Sequence, residues 1–527
     1  MDSAASSSTS QRDIEAIAAE NAALRARLQQ AEQQLQSLTH QLDWFKRQLF
    51  GRTSEKRIEI DPAVQPDLLA ALGRAVEPPK PLPSEEITYT RRKGRRDNTV
   101  SDSGLRFDDS VPVERIVLPP DEALADVPAD HRVVISEKVT HRLAQRPGSY
   151  VVLEYVRPVI QRTDTGELVS TPAPANVLEG TVADVSVLAG MLIDKFMYHL
   201  PLYRQHQRLA ASGIDLARGT LTNWAGRAID LLKPVFDAQL ANILRSRVLA
   251  MDETPIKAGR KSKGKMRQGY LWPVYGDSDE IVFCYTSTHS QGHVPAILGE
   301  DFQGVLLSDG YEAYARYAQA REQVIHAQCW AHTRRYFERA AEAEPQAADE
   351  ALSLIGALYD QERYIRKKAL TGKTKLAWRT QHSEPVVKAF WQWCDTQCQR
   401  HDLLPSNPLS KALHYAMART EALQVFLSDP DVPIDTNHVE RALRPIPLGR
   451  RNWLFCWTEI GAERVGVIQS LLASCRLQGI DPYTYLVDVL QRVGHHPAKA
   501  VVELTPRLWK DRFAHQPLNS DLDRYGR

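Results

Sequence analysis

Cysteine is scarce in this chain: six occur in 527 residues, and none precedes Cys284. That excludes a disulfide framework and suits a reducing compartment. Charge of one sign is not in excess either, since 66 Lys and Arg face 65 Asp and Glu. A polycation is excluded, and any contact with a polyanion must come from local patches. Long apolar runs are also missing. Stretches such as Val187–Ile193 fall far short of the ~20 residues that span a bilayer. The opening MDSAASSSTSQRD has no apolar core, so no signal peptide is expected. What is present is ordinary for a folded protein, with 43% hydrophobic and 25% charged residues, which excludes global disorder. The expectation is a cytoplasmic, multidomain protein without membrane contact.

The first readable pattern is a heptad repeat. Ile14, Ile17, Asn21, Leu24, Leu28, Ala31, Leu35, Leu38, Leu42, Phe45 and Leu49 occupy successive a and d positions. Such a seam needs a partner helix, and Asn21 at an a position fixes register and favours two strands. Residues 1–58 are therefore expected to form a coiled-coil dimerisation helix; packing on the chain's own body is the alternative. Residues 59–110 read as a Pro-rich linker followed by a basic arm, with Arg91, Arg92, Arg95 and Arg96 in one short run. That arm either touches DNA phosphates or is simply solvated. Residues 111–165 alternate as a small β-module. Residues 166–240 read as helical, and 200–225 as helix, turn, helix. That pattern suits DNA-groove docking or an ordinary helical hairpin.

The most informative segment starts at Arg247. Val248–Met251 is an apolar strand running into Asp252, and Val305–Ser308 is a second running into Asp309. An acid at the end of an apolar strand is badly placed for packing and well placed for chemistry, because α/β sheets hold ligands at that edge. Asp252 and Glu253, as successive residues, are expected to face opposite sides. A third acid, Glu440, stands near a helix start, where Asn437 and Glu440 also have capping-box spacing. Three converging carboxylates would hold Mg²⁺ for phosphoryl transfer without Cys or His. The neighbouring charge is segregated. Lys257, Arg260, Lys261, Lys263, Lys265 and Arg267 follow the first acid, and Arg441, Arg444, Arg450 and Arg451 follow the third. Such runs suit a polyanion. Trp272, Trp453, Phe455 and Trp457 either stack on bases or pack in the core. Cys329 and His332 have the spacing of half a zinc site, with no second half near in sequence; Cys394 and Cys398 are a conceivable second half but read more easily as buried thiols on a helical stretch.

At these residues the chain resembles the IS66-type transposases of bacterial insertion sequences. The strings carrying the likeness are Asp252-Glu253-Thr254-Pro255, Ser308-Asp309-Gly310-Tyr311, Cys329-Trp330-Ala331-His332 with Arg334 and Arg335, Asn437 with Glu440-Arg441-Ala442-Leu443-Arg444-Pro445, and Leu448 to Phe455. Tyr198 to Gln205 also looks like the family. The resemblance implies an α/β ribonuclease H-like catalytic core over 241–475, with a helical insertion at about 338–430 and a helical tail at 476–527. It implies a D-D-E triad of Asp252, Asp309 and Glu440 holding Mg²⁺ or Mn²⁺. His332, Arg334, Arg335 and the basic residues Lys261, Lys263, Lys265, Arg441, Arg444, Arg450 and Arg451 would then contact DNA. One departure stands out. The family usually has a cysteine zinc-binding element after the basic arm, and residues 1–283 hold no cysteine.

The implied activity is Mg-dependent cleavage at insertion-sequence ends and strand transfer into target DNA. The partners would be DNA, further copies of the chain in a homodimer or higher oligomer through residues 14–49, and small accessory proteins of the same element. A structure-specific nuclease of the same fold, and a non-catalytic dimeric DNA-binding protein from a decayed element, remain open.

Overall fold

The computed structural model describes residues 105–525 apart from 120–126, 129–130, 147 and 454–455. The expected coiled coil over 14–49 and the arm with Arg91, Arg92, Arg95 and Arg96 lie outside the described residues.

Strands β1 (Arg106–Phe107), β2 (Val113–Val117), β3 (Arg132–Arg146), β4 (Ser149–Arg162) and β5 (Leu168–Ser170) come first. β4 is antiparallel to β3 and β5 and parallel to β2, making a four-stranded sheet. Its alternation feeds two faces. Tyr150 and Val152 enter the main core, while Val151, Leu153 and Tyr155 form a separate cluster with Leu522. Helices α1 (Val185–Phe196) and α2 (Leu202–Ala211) follow, then β6 (Ile214–Asp215), which pairs with β1, and α3 (Arg218–Ile243). Asp184 caps α1 by accepting from the Ser186 N–H at 2.9 Å. The 200–225 stretch is thus α2, a short strand and the start of α3, whose Leu221 and Trp224 are buried.

A second sheet is built from β7 (Val248–Met251), β8 (Thr254–Ser262), β9 (Lys265–Tyr275) and β10 (Ile281–Thr286), then, after α4 (His293–Leu298), from β11 (Gly304–Ser308) and, after α5 (Glu312–Gln319), β12 (Val324–Gln328). Its order is β10-β9-β7-β11-β12, with β8 attached to β9. The β10-β9-β7 half is antiparallel and the β7-β11-β12 half parallel. The apolar runs of β7 and β11 are buried on both faces, as central strands require.

The rest is helical: α6 (Trp330–Ala340), α7 (Pro345–Lys367), α8 (Gly372–Trp378), a π-turn at Arg379–Ser383, α9 (Glu384–Cys398), α10 (Pro408–Met417), α11 (Thr420–Ser428), α12 (Asn437–Leu443), α13 (Pro445–Trp453), α14 (Glu459–Leu477), α15 (Pro482–Arg492), a 3-10 turn at Ala498–Leu504, α16 (Pro506–Arg512) and α17 (Asp521–Tyr525). α14 covers the outer edge of β10. Its Ser470 and Ser474 hydroxyls accept from the N–H groups of Phe283 (2.8 Å) and Ile281 (3.0 Å), which an open edge would leave unpaired. Only a residue without a side chain fits at Gly466, where a Cβ would lie 2.4 Å from the Phe283 carbonyl oxygen. The tail folds back onto the first sheet, Tyr155 donating to Asp521 at 2.7 Å. Among the described residues no helix is long and apolar enough to cross a membrane.

Candidate active site: acids at the sheet edge

β7 and β11 are parallel neighbours with Ala250 opposite Leu307, so both strands end at the same edge. Asp252 and Asp309 each lie two residues beyond that pair and emerge side by side. β7 stops at Met251 and β8 starts at Thr254. Asp252 and Glu253 sit in the irregular joint between them, where the two-residue alternation of a strand no longer holds. The expectation that Glu253 faces away is therefore corrected. Ligand oxygens of Asp252, Glu253 and Asp309 lie within 4.8 Å of one another, and no other such group of three or more His, Cys, Asp or Glu occurs among the described residues.

Short contacts hold each acid. Asp252 accepts from the Glu253 N–H at 2.8 Å, and Asp309 accepts from the Tyr311 N–H at 2.9 Å. Glu253 accepts from the Tyr314 hydroxyl at 2.9 Å and lies 3.2 Å from His289 Nε2. The His289 ring is stacked with Tyr270 (4.4 Å between centroids) and Tyr311 (4.3 Å). Burial pushes the Asp252 carboxyl up to about 7, and the charges of Asp309, Glu253 and Glu440 push the same way. Burial, then Asp309, raises Glu253 to about 7 as well. Crowded carboxylates without a cation resist ionising together.

Glu440 is not among the acids that meet within 4.8 Å, although its charge is felt at Asp252. Arg335 Nη2 on α6 donates to both of its oxygens, at 2.6 and 2.7 Å, and His332 Nε2 lies 3.7 Å away. The capping box does not form. α12 begins at Asn437 with Thr436 as its cap residue, no side chain caps the first turn, and Glu440 turns to Arg335 instead. A charge-assisted bidentate contact outweighs one neutral cap.

The remaining residues scatter more widely. Lys261, Lys263 and Lys265 are exposed on the β8–β9 hairpin. Arg334 pairs with Glu338 at 2.7 Å. Arg441 and Arg444 are exposed on and just beyond α12; Arg450 is half-buried and Arg451 exposed on α13. Trp272 is fully buried, so its base-stacking alternative is dropped, whereas Trp457 is 72% exposed and Phe455 lies outside the described residues. Cys329 is buried, its sulfur accepting from the Thr436 N–H and hydroxyl at 3.2 and 3.3 Å, so it serves as a packing thiol. A cleft of about 830 Å³ near Arg247, Asp431 and His438 contains none of the four acids. Sequence reasoning passed over Glu253 as a site residue, and did not reach His289 and Tyr314. The acidic pair Asp252-Glu253 at a strand end was the one available signal.

A mixed α/β body with an acidic cluster at its sheet edge is suited to nucleic-acid processing, and the matches to known proteins agree. Residues 180–464, more than half of the chain, match the model described as Transposase IS66 family. Residues 470–507 match the IS66 C-terminal element, and residues 37–116 match Transposase C of IS166 homeodomain. The chain belongs to the IS66 transposase family. Among its relatives are three uncharacterized proteins of Sinorhizobium fredii. y4hP is 29% identical, covering 90% of this chain and 89% of its own length. y4jD is 30% identical, covering 92% and 96%, and y4qI is 28% identical, covering 94% and 92%.

Proposed function

We propose that this transposase cuts DNA at the ends of its insertion sequence and joins the freed 3′ ends to target DNA, with Asp252, Asp309 and Glu440 as its catalytic acids. The observation that carries the reading is the convergence of Asp252 and Asp309 at the carboxyl ends of adjacent parallel strands. The sheet order, three antiparallel strands continued by two parallel ones, supports a ribonuclease H-like core. On this reading helices α7 to α11 are the helical insertion. The heptads at 14–49 pair subunits, and small accessory proteins of the element assist.

The donor set fits a hard divalent cation such as Mg²⁺ or Mn²⁺. It is all carboxylate, and burial and mutual repulsion already raise the protonation of Asp252 and Glu253. Such an ion would supply Lewis acidity and neutralise charge on the reacting phosphate. Asp252 and Asp309 would hold it. Tyr314 and His289 orient Glu253, while Arg335 and His332 stand where a phosphate would approach. In the first step a water oxygen bonds to phosphorus as the 3′-oxygen leaves. In the second step that 3′-hydroxyl attacks the target phosphate and displaces another 3′-oxygen. No Tyr or Ser nucleophile is needed.

One observation favours a variant reading. Glu253 lies inside the acidic group and Glu440 outside it, so Glu253 competes for the third role. The test is cleavage of a labelled terminal-repeat duplex. Asp252→Asn and Asp309→Asn should each lower cleavage by about 10³-fold or more while the duplex still binds. Normal cleavage by either one overturns the assignment. Glu440→Gln cleaving normally while Glu253→Gln fails would transfer the third role to Glu253.

A further inference from the structure

The basic stretch after the first acid is a built element. Ile256 pairs with Gly269 and Ser262 with Lys265, closing on a two-residue turn, Lys263-Gly264, with Gly264 at φ 75°. β10 ends at Thr286, opposite Tyr270. Beyond that point β8 is the only strand partner of β9 among the described residues, and the hairpin leaves the sheet as a two-stranded ribbon. Lys257, Arg260, Lys261, Lys263, Lys265 and Arg267 are all exposed on it, with no acid among them. Arg267 alone reaches a carboxylate among the described residues, Glu459 at 3.5 Å.

Like charges on paired strands destabilise a ribbon, so something else must hold this one. Its base is clamped. Cys456 N–H donates to the Lys257 carbonyl at 2.8 Å, and Gly259 N–H donates to the Cys456 carbonyl at 3.1 Å. Gly259 makes the clamp possible through a left-handed φ of 69°. Cys456 comes shortly after α13, which carries Arg450 and Arg451, and directly before exposed Trp457. The clamp fixes the base of the ribbon to the strand-like bridge at Cys456.

Building on the proposed function, we propose that the β8–β9 ribbon lies in a groove of the duplex beside the cut, its lysines on the flanking phosphates. A major groove ~12 Å wide admits a two-stranded ribbon. β8 starts directly after Glu253, so at ~3.3 Å per residue its basic side chains stand about 10–35 Å from the acids. At ~3.4 Å per base pair, that places the contacts about 3 to 10 base pairs from the cut.

The test uses the full chain and a duplex bearing the terminal repeat. Lys261→Gln, Lys263→Gln and Lys265→Gln together should reduce the slope of log affinity against log salt by about 3, at ~0.9 per phosphate. The hydroxyl-radical footprint should lose protection about 8–10 base pairs from the cut, where the three tip lysines fall, and keep it at the cut. As a second measurement, a benzoylphenylalanine in place of Lys263 in the otherwise unaltered chain should crosslink near the far end of that window. A wild-type slope and footprint in the triple variant, with the wild-type chain still binding and cutting, overturns the ribbon proposal alone. A wild-type chain that neither binds nor cuts the duplex overturns both readings.

Discussion

Two arginine–glutamate pairs in this protein share a chemistry and differ in burial. Arg379, fully buried, donates to both oxygens of Glu362 at 2.8 and 3.0 Å. It also donates to the carbonyls of Phe426 (2.7 Å), Asp429 (3.0 Å) and Val432 (3.1 Å). That pair ties α7 and the π-turn to the end of α11 and satisfies carbonyls that would otherwise be stranded. Arg335 and Glu440 form the second pair, with side chains 43% and 28% exposed. Water can reach it, so its partners can exchange. The same ion pair is a structural pin where it is dry and a movable contact where it is wet, because desolvation decides what separation costs.

The largest expected effect comes from breaking the buried pair. Glu362→Gln should destabilise the fold by about 3–5 kcal/mol, since it leaves Arg379 as a buried charge without its counter-ion. A urea melt measures this, and a loss below ~1 kcal/mol would erase the contrast. The matching change at the site, Glu440→Gln, should cost under ~1 kcal/mol in the same melt while cutting end cleavage by about 10²-fold or more. If both substitutions melt alike, exposure is not what separates the pairs.

A smaller effect concerns pH. Burial raises Asp252 and Glu253 to about 7, while the unfolded chain has ordinary carboxyls near 4. Between those values the folded state holds protons that the unfolded state has released. In cation-free buffer, stability should therefore fall as pH rises from about 4 to about 7. Asp252→Asn should flatten that fall and gain roughly 1–3 kcal/mol at pH 8, where function and stability pull apart. An unchanged pH–stability curve in the variant would show that the acids are not crowded in solution.

Much of the site was legible in the sequence for one reason. Strands buried on both faces are written as continuous apolar runs, so the acid ending each run stands out, as at Met251-Asp252 and Ser308-Asp309. The β8–β9 ribbon was harder to see. Its inward Ile256 and Ala258 do alternate with outward Lys257, but the basic run hides the pattern and a bulge at Gly259 breaks it. Trp272 carries no sign of its depth in the sequence, because β9 becomes interior only when β7 and β10 flank it. The capping-box spacing at Asn437 and Glu440 was a sound local rule, defeated by an arginine from α6 that is remote in sequence.

The sequence by itself determined which residues could do chemistry, since strand burial and charge segregation are written along the chain. Only the tertiary structure decided which of the four acids meet. Joints such as Asp252-Glu253 follow no local period, and a carboxylate's partner is set by the nearest cation in space, which for Glu440 is Arg335.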